Sequence, residues 1–189
     1  MLTTTAYFAP LDWFVQAQQG GRWTWEAHEN YQKGGWRNRC RIMTANGPLL
    51  LTVPLQGGKH QQMPIREVRI DYRSDWPRQH AQTIRSAYGR SPYFEYYGEE
   101  VLDLLQQQQL TLWEYNLYLT RGILTLLQSE LSLHFTDSFR GGAAGGNRLE
   151  KGSTPGPYRQ VFEERHGFVG GLSLLDGLFC LGPALLSRF

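Results

Sequence analysis

Three arginines at alternate positions are the residues in this sequence most able to do chemistry. Arg37, Arg39 and Arg41 lie in a segment, residues 36–43, that we predict to be a strand. Because successive side chains of a strand point to opposite faces, all three would project from one face and repel one another. They need an anion, either acidic neighbours or a ligand phosphate or carboxylate held by bidentate guanidinium contacts. The acidic neighbours considered are Glu26, Glu29 and Asp71.

A histidine and an asparagine precede this arginine run. We predict a strand over residues 22–31, which places Glu26, His28 and Asn30 on one polar face. A histidine beside a carboxylate can act as a general base near neutral pH, so we predict His28 and Asn30 as catalytic residues. The alternative is a half-buried histidine that is hydrogen-bonded for structural reasons only.

Tyr7 and His80 are weaker candidates for ligand contact. Tyr7 lies in a predicted strand, residues 4–8, and Pro10 then favours the first turn of a helix over residues 11–19. Such junctions often form the ligand crevice of α/β proteins, with helix amides facing an anion. His80 shares a predicted helical face with Ile84, which makes a packed histidine the ordinary interpretation.

Several common enzyme motifs do not occur. The sequence has no GxxxxGK[ST], GxSxG or HExxH pattern, and no HxGH pair follows the first predicted strand. P-loop hydrolase, α/β-hydrolase, zinc-protease and adenylate-forming chemistries are therefore disfavoured. Ser173 and Asp176 could suggest a nucleophile, but a serine at the N-cap and an acid at the third helical position account for both as caps.

Composition restricts the class of protein. The 189 residues are 41% hydrophobic, with six tryptophans, ten tyrosines and nine phenylalanines, and the net charge is only +2. This predicts a globular protein that does not bind nucleic acid. Cys40 and Cys180 are far apart, without the spacing of a zinc site or disulfide framework, and no run approaches the roughly 18 apolar residues of a membrane span. We expect a cytoplasmic protein without membrane insertion and without a metal or other cofactor.

The elements that must position these residues alternate between strand and helix. They predict an α/β or α+β fold: one domain, residues 1–189, with a mixed β-sheet, an N-terminal strand-helix unit, a β-hairpin and a helical second half. Asn46-Gly47 marks the hairpin between residues 36–43 and 48–55, and Thr111 with Glu114 has the spacing of a capping box. The remaining predictions are strands at 68–72 and 131–136, helices near 75–88, 99–109, 112–130 and 173–182, and a flexible glycine-rich loop at 140–157.

An ordered series of motifs resembles the WbqC-like protein family, in particular members from Bacteroidetes-type bacteria. The stretches that carry it are Ala6-Tyr7-Phe8-Ala9-Pro10 with Phe14, residues 28–41 including Asn30-Tyr31-Gln32-Lys33 and Trp36-Arg37-Asn38-Arg39, Asn46-Gly47, Val68-Arg69-Ile70-Asp71-Tyr72, Trp76, His80, Thr83-Ile84, Ala87-Tyr88, Ser91-Pro92-Tyr93-Phe94, Tyr158-Arg159-Gln160-Val161-Phe162 and Leu172-Ser173-Leu174-Leu175-Asp176. The resemblance implies a role in O-antigen or other surface polysaccharide biosynthesis, with acyl or aminoacyl transfer, of the glycyl type, onto an amino sugar that is nucleotide-activated or carrier-bound.

The resemblance and the residue chemistry together give two functional hypotheses. In the first, the protein is a transferase for a small anionic substrate, such as a sugar nucleotide or an acyl carrier. In the second, it is a noncatalytic module that binds a sugar nucleotide or a pathway partner. The residues predicted to bind the substrate, at positions that match the motifs, are Tyr7, Lys33, Trp36, Arg37, Asn38, Arg39 and His80. The oligomeric state is left open.

Overall fold

The structure, a computed structural model, describes residues 1–57, 62–143 and 156–188. In chain order its elements are β1 (Leu2–Thr3), α1 (Leu11–Gln19), β2 (Arg22–Trp25), β3 (Arg39–Thr44), β4 (Gly47–Thr52), α2 (Trp76–Tyr88), α3 (Phe94–Gln106), α4 (Leu112–Leu126), β5 (Ser132–Phe135), α5 (Glu163–His166) and α6 (Leu174–Leu181). Single 3-10 turns occur at Ile65–Glu67 and Gly182–Leu186.

The five strands of the described residues form two sheets. β1, β2 and β5 form a parallel sheet in the order β1-β2-β5, with Leu2 beside Thr24 and Thr24 beside His134. β3 and β4 form a separate antiparallel hairpin, and Gly47 turns it with a φ of 105°. The predicted fold class is confirmed, with the parallel and antiparallel pairs in two sheets. Because the three parallel strands run the same way, their carboxyl ends meet at one edge.

Local signals located several elements correctly. α1 has the predicted bounds, and α2 ends at Tyr88 as expected. The capping box of α4 is confirmed, because Thr111 Oγ1 accepts a hydrogen bond from the Glu114 amide while the Glu114 carboxylate accepts one from the Thr111 amide. These elements depend on residues close in sequence, which is why pattern alone identified them.

Two predicted strands are wrong. β1 ends at Thr3, and residues 4–8 turn away from the sheet, with Phe8 at a φ of 41° and the Tyr7 amide bonded to the Trp36 carbonyl. Residues 68–72 form isolated bridges, Leu55 with Ile70 and Arg69 with Thr111, but no strand.

The helix predicted at 99–109 starts earlier, at Phe94. Residues 144–155 of the predicted glycine-rich loop lie outside the described residues.

The predicted cap at Ser173 and Asp176 is also wrong. Ser173 occupies the N-cap position of α6, yet its hydroxyl makes no capping bond. Asp176 is fully buried, and its carboxylate accepts hydrogen bonds from the hydroxyls of Tyr88 and Tyr158 and from the Gln160 amide. Asp176 therefore ties α2 and the segment after residue 155 to α6, and it does not cap its own helix.

The start of α1 packs against the start of α6 and buries an acidic side chain. Leu11 N donates to Leu172 O, and Leu174 N donates to Ala9 O. Asp12, in the first turn of α1, is only 5% exposed, and its Oδ1 has no hydrogen-bond partner among the described residues. Burial raises the pKa of Asp12 to about 6, although the amides of Asp12 and Trp13 act to lower it.

We predict that Asp12→Asn removes a pH-dependent loss of stability. The pKa of Asp12 is higher in the folded protein than in the unfolded chain, so the contribution of Asp12 to the free energy of unfolding is highest below about pH 4 and falls as the pH rises to about 6. Above that window this contribution is lower by about 3 kcal/mol. Urea unfolding of both proteins at pH 4, 6 and 8 would measure it. A difference between variant and wild type that does not change with pH would contradict the prediction.

Candidate functional site

A polar cavity opens where two parallel strands end. It has a volume of about 310 Å³, and we call it the β2–β5 cavity because its walls follow the carboxyl ends of these strands. This edge of the sheet is where open α/β folds commonly bind ligands. Its lining residues are Glu26, His28, Glu29, Asn30, Gln32, Arg37, Phe139, Arg140, Gly141, Gly142 and Ala143. We call residues 139–143 the rim.

The carboxylate of Glu26, the first residue after β2, fixes this cavity. Its Oε1 accepts hydrogen bonds from the His28 amide and the Thr136 hydroxyl, each at 2.8 Å, and its Oε2 accepts from the Arg140 amide at 2.6 Å. Burial acts to raise the pKa of Glu26, but these three hydrogen bonds outweigh it and hold the pKa below the usual range. Glu26 thus joins the wall after β2 to the rim after β5.

A buried ion pair forms the floor of the cavity. Arg37 donates from Nε to Glu29 Oε1 at 2.9 Å and from Nη2 to Glu29 Oε2 at 2.6 Å. Their side chains are 1% and 7% exposed. Burial raises the pKa of the Glu29 carboxyl, while the Arg37 guanidinium opposes this shift. The guanidinium is therefore already neutralised inside the protein.

This ion pair corrects the predicted row of three arginines. β3 begins at Arg39, so Arg37 lies in the preceding turn and is not part of the strand. The acidic-neighbour interpretation is correct for Arg37 and Glu29, but neither of the other two proposed acids takes part. Asp71 pairs with Arg73, and Glu26 is bonded as described above. Arg39 and Arg41 are half-buried and do not line the cavity.

His28 and Asn30 reach the β2–β5 cavity. β2 ends at Trp25, yet alternation continues beyond it: Ala27, Glu29 and Tyr31 are buried, while His28 and Asn30 are exposed. The backbone of Asn30 is held in a bridge with Pro64. The two predicted catalytic residues therefore present exposed side chains from one side of a fixed segment.

The other predicted binding residues lie away from the cavity walls. Tyr7 and His80 form a buried pair, with Tyr7 Oη 2.9 Å from His80 Nδ1, packed among Trp76 and Tyr115. Burial lowers the pKa of His80 to about 4, as expected for a packed neutral imidazole. Trp36 and Asn38 are buried, and Lys33 is exposed outside the lining.

Glu26 as a tether and Arg140 as a lining residue were not found from the sequence. The sequence predicts Glu26 as a partner for the arginines or as a carboxylate beside His28, and Arg140 only as part of a loop; in the structure Glu26 bonds the His28 backbone amide. The contact between Glu26 and Arg140 joins positions 114 residues apart. The predicted strand over residues 22–31 hid the signal, because Glu26 becomes a residue at a carboxyl strand end only once β2 is known to stop at Trp25.

Residues 1–57, 62–143 and 156–188 contain no group of three or more histidine, cysteine, aspartate or glutamate side chains placed to hold a metal ion. Within the same ranges, no helix has the length and apolar character required to cross a membrane.

We predict strong coupling between Glu29 and Arg37. Glu29→Gln leaves the buried guanidinium without a counter-charge, and Arg37→Met leaves the carboxylate without one, so each should lower the free energy of unfolding by about 3–5 kcal/mol. The double variant should lose much less than the sum of the two. Chemical denaturation of all four proteins would measure the coupling. Additive losses would show that the pair is not energetically linked.

Comparison with known proteins identifies the family. A curated protein of Mycobacterium tuberculosis, described as "Uncharacterized protein Rv1507c", is 35% identical over 83 residues, which cover 43% of this chain and 35% of that protein. The chain thus matches only about a third of that relative's length. No solved structure matches significantly. The family model of the WbqC-like protein family matches residues 5–149, which include β2 to β5 and the rim, and the chain belongs to this family.

Proposed function

We propose that the β2–β5 cavity is the acceptor site of a transferase that moves an acyl or aminoacyl group, of the glycyl type, onto the amine of an amino sugar in surface polysaccharide biosynthesis. The acceptor sugar is nucleotide-activated or carrier-bound. Membership of the WbqC-like family supports the pathway. The observation that carries the proposal is the exposed imidazole of His28 on the wall of a polar cavity at the carboxyl edge of a parallel sheet.

The volume and the fixed walls suit a sugar. At about 310 Å³ the cavity is at the lower end of the range of small-molecule sites, which fits one sugar ring with part of its activating group. Glu26 anchors both walls, so the polar groups are positioned before a ligand arrives. Such preorganisation lowers the entropic cost of orienting an acceptor.

His28 would be the general base. Its amide is held by Glu26, and its side chain is exposed to the cavity beside Asn30. The acceptor amine attacks the carbonyl carbon of an activated acyl donor, such as a thioester. A C–N bond forms, the C–S bond breaks, His28 takes the proton from the amine, and the thiolate leaves and is then protonated. Asn30 would orient the acceptor through its side-chain amide.

The anionic group of the substrate would contact Arg140. The sequence predicts this role for Lys33, Arg37 and Arg39, but Glu29 neutralises Arg37, and Lys33 and Arg39 do not line the cavity. Arg140 is exposed, lines the rim and has a backbone fixed by Glu26. A guanidinium in this place suits a phosphate or carboxylate.

One observation favours the alternative of a noncatalytic binding module. Catalytic histidines are generally oriented by a third group, but the His28 imidazole has no hydrogen-bond partner among the described residues. A binding module would need only the shape and polarity of the cavity. The two functions differ in what a change at His28 does to turnover.

We predict that His28→Gln lowers turnover at least about a hundredfold and changes acceptor affinity little. Because the side chain is exposed, the fold should be unaffected. UDP-linked amino sugars, with acyl-coenzyme A or aminoacyl donors, would be tested for binding by thermal shift and then for acylated product by mass spectrometry. His134→Gln, in β5 and outside the cavity lining, is the matched control and should keep full activity.

Two results would count against the transferase. Binding without any product in the wild-type protein would favour the binding module. Product formed by His28→Gln at the wild-type rate would exclude His28 as the base, whatever the donor.

A further inference from the structure

The segment that pairs with the wall of the β2–β5 cavity also borders a second cavity. Tyr31 N donates to Met63 O, and Ile65 N donates to Glu29 O. The second cavity, of about 800 Å³, continues from Met63 to the 3-10 turn and the start of α4. We call it the arginine cavity. Its lining residues are Gln56, Gly57, Met63, Arg66, Glu67, Arg69, Leu110 and Thr111.

The lining of the arginine cavity contains two arginines, Arg66 and Arg69, and one acidic residue, Glu67. The Arg66 guanidinium lies 5.1 Å from the centre of the Trp113 ring, a cation–π contact that restricts it without neutralising it. The backbone of Arg69 is fixed by its carbonyl, which accepts from the Gln56 amide, and by a bridge to Thr111. Within the described residues, no ion pair involves Arg66, Glu67 or Arg69. The described lining thus carries a net positive charge that no described residue balances in an ion pair.

Exposed apolar side chains lie beside these charges. Met63 is 37% exposed and Leu110 is 59% exposed, and both line the cavity. Among the described residues six large apolar side chains are exposed to this degree, and two of the six line the cavity that holds Arg66 and Arg69. Thr111 is occupied by the capping box with Glu114, so the helix start is already satisfied and recognition of an anion falls to the arginines.

We propose that the arginine cavity binds an amphiphilic anion, a molecule in which an aliphatic segment ends in a phosphate. The phosphate would be held by Arg66 and Arg69, since guanidinium groups make paired, charge-assisted hydrogen bonds to phosphate oxygens. The aliphatic segment would cover Met63 and Leu110 and remove their surface from water. The proposal concerns a site separate from His28 and does not depend on the transferase activity.

Calorimetric titration with decyl phosphate, inorganic phosphate and decyl maltoside tests both halves of this recognition. Wild-type protein should bind one decyl phosphate per chain. Its affinity for decyl phosphate should exceed its affinity for either other probe by about tenfold or more, because inorganic phosphate lacks the aliphatic segment and decyl maltoside lacks the phosphate. Arg66→Gln/Arg69→Gln should weaken decyl phosphate binding about tenfold or more. Arg78→Gln/Arg121→Gln, which removes two exposed arginines from α2 and α4, is the matched control and should bind as wild type.

Other variants separate a binding effect from a folding effect. Arg66 also covers Trp113, so Arg69→Gln alone is measured as well and should weaken binding with an unchanged unfolding midpoint. Leu110→Ser should weaken decyl phosphate while leaving inorganic phosphate unchanged. His28→Gln should bind decyl phosphate normally, which distinguishes this site from the β2–β5 cavity.

Three results would overturn the proposal. The first is equal binding of decyl phosphate by wild type and Arg66→Gln/Arg69→Gln. The second is the absence of binding by the wild-type protein. The third is binding only to vesicles that contain phosphatidate, which would indicate attraction to a membrane surface in place of a site for a single molecule.

Discussion

Glu26 carries a carboxylate that is fully buried and yet accepts three hydrogen bonds from three different residues. An ionised carboxylate removed from water is strongly unfavourable unless its oxygens are satisfied. The chain satisfies them by bringing the end of β5 and the first rim residues onto the end of β2. The β2–β5 cavity exists because this requirement is met, and both the position of His28 and that of Arg140 follow from it.

The same constraint recurs at other buried polar groups. Asp176 accepts from Tyr88, 88 residues away, and the Asn116 amide donates to the carbonyl of Arg37, 79 residues away. Apolar burial supplies most of the stabilisation of such a domain, but it is not directional. Hydrogen bonds to buried charges and amides are directional, and they fix how the ends of the elements meet. In this protein they define the loops that surround the sheet edge.

Sequence reasoning succeeded where the deciding interactions are local. Pro10 and Gly20 bound α1, Asn46-Gly47 forms the hairpin, and Thr111 with Glu114 caps α4. The exposed positions of His28 and Asn30 follow from simple alternation. Asp176 shows where prediction from local sequence patterns fails. Its spacing from Ser173 is that of a helix cap, and only a tertiary contact with Tyr88 and Tyr158 overrides that local preference.

Arg37 shows why the ligand contacts were harder to predict than the elements. Three nearby arginines in a sequence do not show which of them pairs with a carboxylate, because the pairing depends on which other segments of the chain pack beside each one. Among the described residues, Arg37, Arg73 and Arg85 have carboxylate partners. Arg85 and Glu99 are both exposed, so their ion pair contributes little to the stability of the fold. Arg37 is almost fully buried, and its ion pair with Glu29 determines the local fold.

Charge that is balanced inside the protein cannot also recognise a ligand without breaking that balance. The arginines suited to bind anions are therefore those that line a cavity and whose guanidinium groups have no carboxylate partner within the described residues. Among them are Arg140 at the rim, and Arg66 and Arg69 in the arginine cavity. The two cavities share one backbone pairing, between residues 29–31 and 63–65. A protein with a net charge of only +2 can thus still present unpaired guanidinium groups at both cavities, because the acids that line the β2–β5 cavity, Glu26 and Glu29, are held in structural contacts.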